Sequence, residues 1–158
     1  MKIVLGNDHA GFPLKEHVRS VLEGLGHEVL DVGTPGTDPV DFPDVAKAVS
    51  APVRAGEAER GVLVCGTGVG AAIAANKIAG IRATVAHDTY TARQAVEHDD
   101  VNVVCLGAWL VGPAIATQVL EEFLAARFST DPAFRRRVQM LHDMEREMAS
   151  EPPAKERL

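Results

Sequence analysis

"VLVCGTGVGAAIAANK" occupies residues 62–77. It begins as a run of apolar residues, breaks into glycines and resumes as an alanine-rich segment with a helical pattern. A continuous apolar run is the mark of a strand buried on both faces, as in a parallel sheet covered by helices. The glycines close that strand and open the next helix, with Cys65 at the junction.

The same unit recurs on either side. Upstream, "KIVLG" (2–6) and "EVLDVG" (28–33) read as strands. "FPLKEHVRSVLEGLG" (12–26) and "DFPDVAKAVSAPVRAG" (41–56) read as helices, the second ended or kinked by Pro52. The quoted stretch supplies a strand at 61–66 and a helix at 70–80. Downstream, "RATVAH" (82–87) and "VNVVCLG" (101–107) are strands, and "TYTARQAVEH" (89–98) and "GPAIATQVLEEFLAARF" (112–128) are helices. This alternation predicts an α/β fold, a Rossmann-like αβα three-layer sandwich on a five-stranded parallel sheet. A final helix over 131–150 starts at Asp131 and Pro132 and carries an apolar stripe of Phe134, Val138, Leu141 and Met148. A helix appended to a finished sandwich suits contact with a partner subunit. We divide the chain into one domain, 1–149, and a polar tail, 150–158.

The totals narrow the function. The chain has 158 residues, a net charge of −6 and two cysteines, Cys65 and Cys105. No basic run supports nucleic-acid binding. No apolar stretch reaches the roughly 18 residues of a membrane span. The cysteines read as free thiols, with no zinc spacing around them. A cytoplasmic protein is expected.

In an open parallel sheet, ligands bind at the carboxyl ends of the strands. Those ends carry Asn7, Asp8 and His9; Cys65, Gly66 and Thr67; and His87 and Asp88. Glycines turn backbone N–H groups toward a ligand, and a helix start adds positive charge. The "CGTGVG" turn therefore suits a phosphate or a developing oxyanion. The same field predicts a lowered pKa for Cys65, which becomes a candidate base or nucleophile. Asp8 and His9 face that loop across the crevice, with helix capping as the competing role. Gly66, Gly68 and Ala71, followed by Asp88, also fit a weak dinucleotide pattern, but on the third strand and without room for a substrate domain. His98 and Asp99 precede the fifth strand. His17, His27 and His142 read as surface residues. Arg137 falls beside the apolar stripe of the last helix, where it needs an anion or a carboxylate partner.

"GNDHAG", "DFP", "CGTGVGAAIAANKIAGIRA" and "EHDDVNVVCLG" occur in this order. Over residues 1–148 the chain resembles the ribose-5-phosphate isomerase B family, which includes the galactose-6-phosphate isomerase subunits. The resemblance implies an aldose–ketose isomerase of carbohydrate metabolism, in the pentose phosphate pathway for a ribose 5-phosphate substrate. It implies no metal and no cofactor. Cys65 would be the base, Thr67 and Asp8 would move protons at the sugar oxygens, and His98 would open the sugar ring. Backbone N–H groups from Gly66 through Gly68 and Val69 to Gly70 would hold the enediolate charge. His9 and Arg137 would bind phosphate, with Phe42, Asp99 and Trp109 lining the substrate. The site would lie across the interface of a homodimer or homotetramer.

Four positions depart from the family pattern. Trp109 and Ala133 stand where the family often has phosphate-binding arginines, Phe42 replaces a tyrosine, and Asp99 replaces an asparagine. Arg93, Arg135 or Arg136 could compensate. The expected substrate is ribose 5-phosphate. A four- or six-carbon sugar phosphate is the alternative, as is a catalytically silent sugar-phosphate-binding relative.

Overall fold

The computed structural model describes residues 1–151. Five strands, β1 (Lys2–Asn7), β2 (Glu28–Asp31), β3 (Arg60–Cys65), β4 (Ala83–Val85) and β5 (Val103–Gly107), form one sheet in the order β2-β1-β3-β5-β4. Every pairing is parallel. The order reverses between β1 and β3, where a crevice opens at the carboxyl ends of the strands. Asn7 of β1 pairs with Val64, one residue before Cys65.

Strand side chains alternate between two cores, as the pleat requires. Ile3, Leu5, Val62, Val64, Val104 and Leu106 face helices α1 (Phe12–Gly24), α4 (Thr89–Asp99) and α5 (Pro113–Ala125). Val4, Leu63, Val103 and Cys105 face α2 (Phe42–Arg54) and α3 (Val69–Ala75). Two helices cannot cover five strands on that second side. Val69 and Ile73 of α3 stay more than half exposed, and a hollow lined by them and Val85 runs along the edge strand β4.

Helix α6 (Pro132–Ser150) lies outside the sandwich. Asp131 caps it by accepting the Ala133 N–H. His142 meets the Arg82 guanidinium at 3.0 Å, and Glu145 accepts the Gly80 N–H. Of the predicted stripe only Val138 is buried; Phe134 is half-buried, and Leu141 and Met148 remain exposed, as does Met144 beside them. Beside them a hollow of about 720 Å³ opens, lined also by Ile81, Arg82 and Asp99.

The sequence reading needs three corrections here. Pro52 does not end α2, which continues to Arg54; so near a helix end the ring meets little further helix to disrupt. The helix expected over 70–80 closes at Ala75, where the Asn76 side chain leaves the helix to pair with both the N–H and the C=O of Ala83. His17, His27 and His142 are half-buried, and one nitrogen of each ring finds a partner. The predicted tail at 150–158 begins in the last residue of α6, and its residues 152–158 lie outside the described part.

Candidate active site

The crevice is built by close backbone approach. A side chain on Gly11 would put its Cβ 2.0 Å from the Val64 carbonyl oxygen. Only glycine lets the start of α1 press against β3, and this carries Asp8 onto Cys65. Asp8 is 5% exposed. Its Oδ1 accepts the Gly11 N–H at 2.9 Å, and the carboxylate also meets the Cys65 thiol. The capping role and the role of facing Cys65 therefore coexist in one side chain.

The backbone amides of Gly68 and Gly66 also lie close enough to the Cys65 sulfur to favour its charged form. Gly68 sits at φ +80° and caps α3 in the left-handed conformation. That turn swings the amides toward the thiol. They favour the thiolate, as the sequence predicted, but the net direction is the reverse. Burial first, and then the adjacent Asp8, push the Cys65 thiol above its ordinary range. Desolvation penalises the charged form, and a neighbouring carboxylate repels it. The expected lowering was wrong for the single chain because neither effect is visible in a glycine motif.

The remaining crevice residues have defined settings. The Thr67 hydroxyl accepts the Val69 N–H at 3.3 Å, which leaves its own proton free to donate. His9 accepts the Val40 N–H on Nδ1 at 3.2 Å, so the neutral ring carries its proton on Nε2. Phe42 lies over Gly70, where an added Cβ would come within 3.1–3.3 Å of its ring. Trp109 lies over Gly66 in the same way: three atoms of its six-membered ring would stand 2.9–3.0 Å from a Cβ there. The backbone N–H of Trp109 donates to the Gly66 carbonyl at 3.0 Å, while the residue remains 72% exposed and its indole N–H is uncommitted among the described residues. His87 accepts the Gly107 N–H, and Asp88 caps α4 through Thr91. Both are committed to the scaffold.

His98, Asp99 and Arg137 are elsewhere. Helix α4 starts near the carboxyl end of β4 and runs back against the strand direction, so its last turn, with His98 and Asp99, lies at the opposite end of the sheet. The length of β3 alone puts roughly 15 Å between the two ends. At that far end the His98 imidazole stacks on Phe134 of α6, with centroids 3.9 Å apart and planes 13° apart. The Arg137 guanidinium sits 5.7 Å from the centre of the same ring. Arg137 makes no ion pair among the described residues. Ala133 shares this turn of α6. Of the compensating arginines, Arg135 covers Phe128 and Arg93 approaches Glu122 at 3.9 Å. One chain thus carries two separated clusters: Cys65, Asp8, His9 and the glycine turn at one end; His98, Phe134 and Arg137 at the other. Sequence reasoning missed Phe134, since nothing local announces a contact between positions 98 and 134.

Among the described residues, no group of three or more histidine, cysteine or acidic side chains could hold a metal ion. None of the described helices is long and apolar enough to cross a membrane.

Comparison with known proteins gives a consistent picture. A family described as "Ribose/Galactose Isomerase" matches residues 3–141. The chain is 43% identical over 136 residues to D-erythrulose-4-phosphate isomerase 2 of Mycolicibacterium smegmatis, covering 84% of this chain and 90% of the relative. It is 42% identical over 127 residues to ribose-5-phosphate isomerase B of Escherichia coli, covering 80% and 85%. Its structure resembles that of ribose-5-phosphate isomerase B from Clostridium thermocellum, with a TM-score of 0.91, 40% identity and coverage of 94% and 99%.

Proposed function

Since the chain belongs to the ribose/galactose isomerase family, we propose that it interconverts an aldose phosphate and its ketose through an enediolate, with Cys65 as the base. The observation that carries this reading is the convergence on one sulfur of the Asp8 carboxylate and the Gly66 and Gly68 amides.

The steps follow from that geometry. The Cys65 thiolate takes the C2 proton of the open-chain aldose. The electron pair moves into a C1–C2 double bond, and the carbonyl π electrons move to O1. Negative charge appears there, beside the amides from Gly66 to Gly70. Donors aimed at developing charge are the largest single catalytic contribution in most enzymes. Asp8 and the Thr67 hydroxyl carry the O2 proton to O1. The Cys65 thiol then returns its proton to C1, so that no atom is gained or lost. A thiol with a raised pKa gives a scarcer but more strongly basic thiolate, and the C2 proton of a sugar is a weak acid.

The phosphate and ring-opening groups come from a second copy. His9 offers its Nε2–H at the Cys65 end. His98 and Arg137 are too distant in the same chain, but a two-fold partner offers its own opposite end. The strip of exposed Val69 and Ile73 with half-buried Val85, beside the glycine turn, is the surface such a partner would cover. In the composite site His98 takes the proton of the C1 hydroxyl and delivers one to the ring oxygen, and Arg137 binds phosphate. A homodimer is the smallest active unit; a homotetramer would contain two.

Ribose 5-phosphate is the starting substrate. The indole on Gly66 supports a second reading, a shorter four-carbon sugar phosphate. Trp109 fills space beside the amide turn and offers one N–H, without the two-pronged grip of a guanidinium. The deciding experiment is a turnover screen of four-, five- and six-carbon aldose phosphates in deuterated water. Isomerisation with deuterium incorporated at the reacting carbon is expected for at least one. Binding without isomerisation or exchange would instead identify a silent binding protein.

A further inference from the structure

We infer that Phe134 is a positioning residue that fixes both His98 and Arg137. The inference rests on the reading of His98 as the ring-opening group and Arg137 as the phosphate ligand. Phe134 touches no reacting atom. It acts through the two side chains that rest on it.

His98 lies in the last turn of α4, half-buried, and among the described residues no hydrogen bond holds its ring. The torsion that turns an imidazole about its bond to Cβ is broad, so an unheld ring samples many planes. A face-on neighbour 3.9 Å away, only 13° from parallel, removes that freedom. The stack restrains the plane and leaves both nitrogens open. That is what ring opening needs, since one nitrogen must receive a proton while another proton is delivered nearby. A hydrogen bond could hold the ring as firmly, but only by occupying a nitrogen.

Arg137 follows one helical turn later. It is exposed and makes no ion pair among the described residues, and its guanidinium lies 5.7 Å from the centre of the Phe134 ring. A cation on an aromatic face keeps all its N–H donors available. The same ring therefore presents an unspent acid–base group and an unspent anion ligand from one surface. The consequence for the reaction is a split effect. Loss of the ring should disturb phosphate binding for every substrate, and turnover mainly for substrates that must be opened.

The test compares ribose 5-phosphate, which closes to a furanose, with erythrose 4-phosphate, whose O4 carries the phosphate and cannot close that ring. For Phe134→Leu, kcat on ribose 5-phosphate should fall about tenfold to a hundredfold more than kcat on erythrose 4-phosphate, the scale of a small misplacement of a reacting group. KM should rise for both sugars. Phe134→Tyr, which keeps the ring, should restore both values. His98→Asn should show the same preference in kcat without the shared rise in KM. If His98→Asn shows that preference and Phe134→Leu does not, the inference is overturned while the role of His98 stands. If His98→Asn harms both sugars equally, the ring-opening reading falls and the inference falls with it. No turnover of either sugar by the unaltered protein overturns the isomerase reading for these two substrates, and the inference as stated. An independent measurement needs no variant: His98 ring protons should resonate upfield of a free histidine, through the Phe134 ring current. Ordinary shifts there would overturn the stacked arrangement.

Discussion

Two inactive variants should restore activity to each other when they share a dimer. Cys65→Ala removes the proposed base, and His98→Asn removes the proposed ring-opening group. Within one chain these residues stand at opposite ends of a sheet roughly 15 Å deep, so neither chain can complete its own site. In a mixed dimer one site combines both lesions, and the other combines an intact Cys65 with an intact His98. Random pairing makes about half of the dimers mixed, so about one quarter of all sites should be whole in a two-fold assembly. Co-expressed, differently tagged chains should therefore reach about a quarter of unaltered turnover on ribose 5-phosphate, and mixed dimers purified through both tags about half. A reverse cross sharpens the test: a chain carrying both substitutions, paired with an unaltered chain, should form a dimer with no whole site. Dimer formation is checked by sedimentation. If the complementing pair stays at the level of its parents, or the reverse cross keeps half of full activity, the site is contained in one chain and the shared-site reasoning is wrong.

Cys65→Ala alone should lower turnover by at least the roughly 10²–10⁴ expected of a general base, with unchanged far-UV circular dichroism; near-normal turnover would remove Cys65 from the mechanism. Iodoacetamide should label Cys65 faster as pH rises through the alkaline range, because burial and Asp8 hold the thiol protonated at neutral pH; mass spectrometry should find the fully buried Cys105 unlabelled. Asp8→Asn removes the carboxylate's share of that elevation but not the share from burial, so the labelling midpoint should move to lower pH; an unmoved midpoint would show that the two groups do not interact. Trp109→Arg should improve KM for ribose 5-phosphate by about tenfold to a hundredfold, the worth of one charge-assisted hydrogen bond; no change would make Trp109 a neutral replacement and end the argument for a shorter substrate.

The α/β order was legible because both faces of the strands are buried, so each strand announced itself as an apolar run. The carboxyl-end rule then picked out Asp8 and Cys65, which the structure brings together. What the sequence concealed depends on contacts distant along the chain. Glycines after Cys65 signalled amides aimed at a thiol, and those amides are there. Burial and the Asp8 carboxylate reverse their effect, and neither could be read from the turn alone. The placement of His98 was available in principle: a helix joining parallel strands must run back, so its last turn lies away from the Cys65 end. The stack on Phe134 was not, because it depends on how α6 docks, and α6 is held by Arg82 and Gly80 as well as by Phe134 and Val138 of its own stripe.

The charges of the single chain give the strongest reason for assembly. The Cys65 end is acidic: Asp8 is buried in it, and Asp38, Asp41, Asp44 and Asp88 lie in the loops and helix starts around it. Lys15, at the start of α1, is tied to Asp31 at 2.9 Å and to the Thr34 carbonyl, and Lys47 is paired with Asp44. A phosphate dianion approaching this crevice meets one neutral histidine donor at His9 and carboxylates around it. The opposite end carries Arg135, Arg136 and Arg137, all exposed. Attraction between these arginines and the crevice carboxylates of a second copy would favour the proposed antiparallel pairing, with the arginines above the crevice. The same approach acts on the base. A cation brought near a thiol favours the thiolate, opposing the burial and the Asp8 charge that disfavour it in the lone chain. On this reasoning one event, the proposed dimerisation, would complete the phosphate site and bring the Cys65 thiol closer to the working range of a base.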